Sequence, residues 1–222
     1  FYQFKKKKTK KKKKKKIWKL YHYNHNLYQI LLILVHYTVN SQVDFIGEIE
    51  KLSPSLDKYV DQSSKIEILA KGFEWSEGPV WVDKINSVLF SDVPENKIYK
   101  WNENEGLSVY IEPSGYSGKV PTSKKDGSNG LILNSNNELL ICMHGDRRIA
   151  KLKKWGRGDF ETIVNKFQGK RLNSPNDMVF TICGDLIFTD PPYGLKKRNS
   201  DKLKELKVNG VYKLTKDGKL YI

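Results

Sequence analysis

The sequence predicts an all-β fold, and two features of residues 65–222 support this prediction. Short runs of β-branched and aromatic residues alternate with turns rich in Gly, Asn, Asp and Pro, a pattern typical of strands. No segment has the 3.6-residue hydrophobic period of a helix. The predicted strands are 66–69, 80–82, 87–90, 97–101, 107–111, 130–133, 138–142, 148–152, 161–164, 178–181, 186–189 and 210–214.

An internal repeat indicates how these strands are organised. Three units each begin with a polar residue before a short apolar run, and these lead residues are Glu77, Asn129 and Asn176, spaced 52 and 47 positions apart. In each unit a middle strand follows 10 or 11 positions later. A period of about 40–50 residues with four short strands is typical of a β-propeller blade. The sequence therefore predicts the first three blades of a propeller and the start of the next.

The positive charge of the chain is concentrated at its beginning. The formal net charge is +15, but lysines 5–8, 10–16 and 19 supply 12 of these charges, which leaves +3 from Leu20 onward. The remainder is nearly balanced, so the charge gives no reason to expect a nucleic-acid partner.

A leader precedes the predicted blades. The lysine run is followed by an apolar run at 27–39 and small polar residues at 40–41, the order found in a secretory signal. The apolar run is shorter than the roughly 20 residues of a membrane span. We expect residues 1–41 to be a leader, 42–64 a linker and 65–222 the partial propeller of a secreted protein. A signal-anchored protein, a cytoplasmic one and a low-complexity leader are the alternatives, and the oligomeric state stays open.

Two cysteines, Cys142 and Cys183, are too few for a disulfide framework. Each lies in or beside an apolar run, so we expect buried thiols, with a single disulfide as the alternative. Their spacing does not indicate a zinc site.

The lead residues of the three units are the first candidates for chemistry. The innermost strand of a propeller blade lines the central channel, so Glu77, Asn129 and Asn176 are expected at the channel mouth. One carboxylate and two amide oxygens suit Ca²⁺, with Zn²⁺ or Mn²⁺ as alternatives. Asn-Gly and Asn-Asp pairs also form turns. Turn formation alone does not explain the nearly constant offset to the next strand.

His144 follows the middle strand of the second unit, where it either lies over a substrate or is a polar surface residue. Asp92, Asp177 and Asp190 are expected to have structural roles in turns. No Gly-x-Ser-x-Gly, Cys/His pair or phosphate-binding loop is present in the sequence, which removes support for serine hydrolases, cysteine hydrolases and P-loop proteins.

Five motifs in a fixed order resemble the gluconolactonase family, which includes senescence marker protein (regucalcin) and the luciferin-regenerating proteins. They are Glu-Trp-Ser-Glu-Gly-Pro-Val-Trp at 74–81, Gly-Ser-Asn-Gly-Leu at 127–131, Met-His-Gly-Asp-Arg-Arg at 143–148, Gly-Lys-Arg-Leu-Asn-Ser-Pro-Asn-Asp at 169–177 and Phe-Thr-Asp-Pro-Pro-Tyr-Gly at 188–194. The resemblance covers residues 65 to 222 and implies a six-bladed propeller.

The resemblance also implies roles for the lead residues. Glu77 would be a direct metal ligand, Asn176 would contact the metal or the substrate, and Asn129 would orient the substrate. An Asn of the fourth blade and an Asp of the fifth would complete the metal site, and that Asp is the candidate general base. We expect these two to lie beyond Ile222, so the catalytic residue is unassigned. The implied function is metal-dependent hydrolysis of a sugar lactone, and the alternative is a non-catalytic calcium- or ligand-binding propeller.

Overall fold

The computed structural model describes residues 44–119 and 126–222. The chain divides into two compact units, Phe1–Leu69 and Ala70–Ile222. The predicted leader lies outside the described residues, so the predictions of secretion or anchoring remain predictions. Within the described ranges, no helix is long and apolar enough to cross a membrane.

The described part of the first unit holds little regular structure. A 3₁₀ helix at Pro54–Lys58 begins after Ser53, whose hydroxyl accepts the N–H of Ser55. The predicted strand at 66–69 is wrong, because only Glu67 pairs there, in an isolated bridge to Phe45. Ile66 and Leu69 are exposed, so this segment has no sheet face to bury.

The second unit contains three four-stranded antiparallel sheets, each built from four strands in chain order. This arrangement confirms the predicted all-β fold and its three successive propeller blades. The first sheet comprises β1 (Ser76–Val82), β2 (Ser87–Asp92), β3 (Lys97–Asn102) and β4 (Gly106–Ile111). The second comprises β5 (Ser128–Leu133), β6 (Leu139–Met143), β7 (Arg148–Leu152) and β8 (Phe160–Val164).

A short hairpin of β9 (Lys166–Phe167) and β10 (Lys170–Arg171) precedes the third sheet. The third sheet comprises β11 (Met178–Phe180), β12 (Leu186–Thr189), β13 (Val211–Leu214) and β14 (Leu220–Tyr221). Two further 3₁₀ helices lie at Asp83–Ile85 and Arg198–Ser200. The strands β9, β10 and β14 cannot be predicted from the sequence pattern, because a strand of two residues is too short to show alternation.

The hydrophobic core lies between successive sheets, and β6 shows why. Its side chains alternate between the two faces of the sheet. Leu139, Ile141 and Met143 pack with residues of the first sheet, whereas Leu140 and Cys142 pack with residues of the third. The middle sheet is therefore buried on both faces, and burial of apolar surface joins the three blades.

The two cysteines differ in their surroundings. Cys142 is a buried thiol as predicted, and burial raises its pKa well above the usual value. The prediction that Cys183 is buried is wrong: it is exposed, in the turn between β11 and β12. Both thiols are free, so the alternative of a single disulfide is also wrong.

We expect Ile141→Ala to lower the free energy of unfolding by about 2–5 kcal/mol, because it leaves a cavity between the first two sheets. The side chain of Ile141 is 0% exposed, whereas that of Ile182 is 105% exposed. The matched control Ile182→Ala should therefore change the stability by less than about 0.5 kcal/mol. Urea unfolding measures both, and equal effects would contradict the assigned core.

Candidate functional site

The three lead residues lie at the same end of the second unit. Glu77 is in β1 and Asn129 in β5, while Asn176 stands just before β11 and donates its backbone N–H to Thr189 O (2.9 Å). β1, β5 and β11 are the first strands of their sheets, and β5 packs against both of the others. The repeat register therefore corresponds to adjacent innermost strands.

Glycine after a lead residue permits this close packing. A Cβ at Gly78 would lie 2.5 Å from the carbonyl oxygen of Asn129, and one at Gly130 would lie 2.9 Å from that of Asn176. Gly130 also donates its N–H to Asn176 O (2.8 Å). The strand register shifts around Gly78 in β1 and around Gly130 in β5, as in a β-bulge. Each blade therefore fixes the backbone of the next lead residue.

The carboxylate of Glu77 is oriented by Trp75, which the sequence analysis did not single out. The indole Nε1–H of Trp75 donates to Glu77 Oε1 (2.7 Å). The backbone of Trp75 is itself fixed, since its N–H donates to Asp92 Oδ1 (3.2 Å) and its carbonyl accepts the N–H of Val93 (3.1 Å). The sequence feature that could have indicated this role is the position of Trp75, two residues before the lead residue.

The predicted structural roles of Asp92 and Asp190 are confirmed. Asp92 accepts the N–H groups of residues 74 and 75, three and two positions before Glu77. Asp190 accepts those of Asn173 and Ser174, at the same offsets before Asn176, at 2.7 and 2.8 Å. Each carboxylate thus holds the segment that enters an innermost strand. The carboxylate of Asp177 is exposed and accepts the N–H of Met178 (2.9 Å), a local structural contact at the start of β11 rather than the cap of a turn.

Asn129 is held by a buried set of serine hydroxyls. Ser91 of the first sheet donates to the carbonyl oxygen of Asn129 (2.8 Å). Its hydroxyl is also 2.8 Å from that of Ser128, which donates to Ser114 Oγ (2.8 Å). These bonds link the first sheet to the start of β5, because buried hydroxyl groups need partners.

The structure brings His144 and Asn176 together. His144 Nε2 lies 3.3 Å from Asn176 Nδ2, although the residues are 32 positions apart. His144 is 1% exposed, so its interpretation as a polar surface residue is wrong. When the amide nitrogen donates, Nε2 must be unprotonated, so the imidazole is neutral with its proton on Nδ1. The amide oxygen of Asn176 then remains the atom that accepts hydrogen bonds or binds a cation.

The donor atoms at this end suit a hard cation. Among residues 44–119 and 126–222, no group of three or more His, Cys, Asp or Glu side chains is placed to hold a metal ion. A cation here would depend on the carboxylate of Glu77 with amide oxygens such as that of Asn176. Oxygen ligands of this kind are those that Ca²⁺ prefers. The single carboxylate of Glu77 neutralises one of the two positive charges of a divalent cation.

The two ends of the sheets differ in their connections. The three longest connections, which join β4 to β5, β8 to β11 and β12 to β13, all leave and enter their strands at the end that carries the lead residues. At the opposite end the strands are joined by at most seven residues, as in 153–159. Long connections on a rigid scaffold commonly carry binding residues. This asymmetry supports the assignment of the functional end.

The family of the chain follows from its similarity to known proteins. The sequence profile of the SMP-30/Gluconolactonase/LRE-like region matches residues 75–222. The chain belongs to this family.

Individual relatives agree with the family. The chain is 41% identical over 177 residues to the gluconolactonase of Zymomonas mobilis, an alignment that covers 79% of this chain and 49% of that protein. It is similar to the solved gluconolactonase XC5397 from Xanthomonas campestris, with 27% identity, a TM-score of 0.62 and coverage of 82% and 56% of the two chains. An X-ray structure of a protein assigned as a gluconolactonase gives 37% identity, a TM-score of 0.57 and coverage of 69% and 49%. The chain spans about half the length of these relatives.

We expect Gly78→Ala to destabilise the protein more than Gly218→Ala. Both glycines have positive φ, +55° and +83°, so both substitutions carry a backbone cost of about 1–2 kcal/mol. Nothing lies within 4 Å of a Cβ at Gly218, whereas a Cβ at Gly78 collides with β5. The collision should add about 1–3 kcal/mol, measurable by urea unfolding. Equal destabilisation would contradict the close approach of β1 and β5.

Asp190 should make stability depend on pH. Burial raises its pKa to about 6, against the opposing effects of the N–H groups of Asn173 and Ser174 and of Arg147. The folded state therefore holds the proton more tightly than the unfolded state, where the pKa is about 3.9. Its contribution to stability is full below pH 4 and is lost as the pH rises through about 6. The thermal midpoint of the protein relative to Asp190→Asn should fall over this range, and a constant difference would contradict it.

Proposed function

We propose that the protein hydrolyses sugar lactones with the help of a bound divalent cation, with Ca²⁺ as the first candidate and Zn²⁺ or Mn²⁺ as alternatives. The placement of Glu77, Asn129 and Asn176 at the starts of adjacent innermost strands carries this proposal. The similarity to the Zymomonas mobilis gluconolactonase supports gluconolactone as the substrate.

Glu77 and Asn176 are the proposed metal ligands. A divalent cation, when bound, supplies a Lewis acid that polarises the lactone carbonyl. Trp75 orients the carboxylate of Glu77 by its indole N–H, and His144 orients the amide of Asn176. Partners of this kind fix the geometry of metal ligands and tune their basicity.

Asn129, His144 and Asn176 are the proposed substrate-binding residues. Sugar lactones carry several hydroxyl groups, which amide and imidazole groups can bind as donors or acceptors. The buried serines hold the backbone of Asn129, and the carboxylate of Asp190 holds the segment before Asn176. Such preorganisation lowers the cost of orienting the substrate.

The proposed reaction consumes one water molecule. Water adds to the carbonyl carbon, the bond between that carbon and the ring oxygen breaks, and the ring oxygen leaves as a hydroxyl group. The product is the open-chain sugar acid, which releases a proton at neutral pH. We assign no general base among the described residues.

We expect Glu77→Gln to abolish metal-dependent hydrolysis of gluconolactone, with a loss of at least about 100-fold in kcat/KM. The amide keeps the shape of the side chain but removes its negative charge, so calcium affinity measured by calorimetry should fall in parallel. Glu74→Gln, three positions earlier, is the matched control and should change neither quantity. The thermal midpoint should stay unchanged in both variants.

Unchanged turnover in Glu77→Gln would contradict the assignment of Glu77 as a metal ligand. Calcium and lactone binding without any turnover in the unmutated protein would instead favour a non-catalytic binding propeller. Removal of metal with a chelator should stop hydrolysis, and readdition of Ca²⁺, Zn²⁺ or Mn²⁺ in separate samples should identify the cation that restores it.

A further inference from the structure

Arg147 ends the four-residue turn that begins with His144. Its side chain is 4% exposed, and its φ of +59° lies in the left-handed region. A bulky residue seldom adopts this conformation unless its surroundings impose it. Its N–H donates to the carbonyl oxygen of His144 (3.2 Å), so the two ends of the turn are joined directly.

The first sheet has an equivalent residue. Asn96 ends the turn between β2 and β3 with a φ of +57°. Its side-chain oxygen accepts the N–H groups of Ser114, Gly115 and Tyr116, at 3.1, 2.8 and 3.1 Å. These three residues belong to the connection that leads to Asn129, so Asn96 anchors the approach to the next lead residue.

Arg147 anchors the corresponding connection in the second sheet. Its Nε donates to the carbonyl oxygens of Leu172 (2.7 Å) and Asn173 (3.1 Å), in the connection that leads to Asn176. The longer side chain also reaches further than an asparagine. Its Nη1 donates to the carbonyl oxygen of Leu203 (2.8 Å) and lies 3.8 Å from Glu205 Oε1. Arg147 thereby holds residues 191–209, which we name the covering segment.

The covering segment in turn packs on His144. A Cβ at Gly194 would lie 2.8 Å from His144 Cβ and 2.9 Å from Ser174 Cβ. The N–H of Gly194 donates to Ser174 Oγ (2.9 Å), which fixes the segment at this point. His144 is therefore confined between a turn that Arg147 ends and a segment that Arg147 holds.

The buried guanidinium is not arranged for stability alone. Its Nη2 is buried without a hydrogen-bond partner within the described residues, and burial lowers the pKa of the group. A buried charge with incomplete partners is costly, and an apolar side chain is often at least as stable at such a position. The specific contacts with three carbonyl oxygens point instead to a role in setting geometry.

We propose that Arg147 is a positioning residue that, through the covering segment and its own turn, sets the orientation of His144 towards Asn176. It acts on the pair without touching a substrate. The consequence for lactone binding rests on the proposed function, whereas the effect on the His144 side chain does not.

Arg147→Asn is the decisive variant. Asparagine is the residue at the equivalent position of the first sheet, Asn96, and it tolerates positive φ, but its side chain is too short to reach Leu203. Nitrogen-15 NMR of the imidazole of His144, assigned with His144→Gln, reports its environment directly. We expect the Nε2 resonance to shift and amide hydrogen exchange in the covering segment to become about tenfold faster. Arg157→Asn is the matched control, since Arg157 is exposed at the opposite end of the sheets, and it should change neither.

Turnover adds a readout that a purely structural role would not move in this way. With gluconolactone, KM should rise and kcat should fall in Arg147→Asn, each by about tenfold, because Asn176 is both a proposed substrate-binding residue and a proposed metal ligand. Arg147→Lys should not restore the NMR signal, because an ammonium group lacks the fork that spans the separate carbonyl groups.

Gly194→Ala tests the same proposal if Arg147→Asn does not fold. It keeps Arg147 but pushes the covering segment away from His144, so the Nε2 resonance should again shift. Gly158→Ala is its control, because a Cβ there makes only ordinary contacts of 3.7–3.8 Å. An unchanged His144 signal in Arg147→Asn, or in Gly194→Ala, would overturn the proposal. A shifted signal in a protein that hydrolyses no lactone would refute the proposed function and leave the positioning role standing.

Discussion

The innermost strands of neighbouring blades lie so close together that the rest of the site depends on this contact. At Gly78 and Gly130 the backbone of the next blade occupies the space that a Cβ would need. A lead residue is therefore placed by the blade before it as well as by its own strand. Protein interiors are packed without spare volume. A side-chain atom added at either glycine must therefore displace the lead residue of the next blade.

Around these strands, polar side chains fix the connections that enter each blade. Asp92 and Asp190 bind backbone N–H groups ahead of Glu77 and Asn176, and Asn96 and Arg147 bind the backbone of the connections between sheets. Buried backbone groups outside a sheet need such partners. The side chains that bind the backbone groups of the connections thus also hold the candidate site in place.

The hydrophobic core has a different task. The alternating side chains of β6 bury both faces of the middle sheet and so lock three blades in succession. Apolar burial is strong but has no directional preference, and it joins the sheets without specifying which residues point to the channel. Hydrogen bonds at one end of the sheets supply that direction. Apolar packing therefore provides the framework and the polar contacts provide the site.

The amino-acid pattern was enough to predict the all-β class, three repeat units and the register of Glu77, Asn129 and Asn176, because strand alternation, turn residues and the repeat period are local properties of the chain. The folded arrangement of the chain was needed to show that His144 is buried against Asn176, that Cys183 is exposed and that 66–69 is not a strand of a sheet. The reach of Arg147 to Leu203, 56 positions away, likewise follows from contacts between distant segments. Burial and long-range hydrogen bonds depend on which distant segments meet, and no local pattern encodes that meeting.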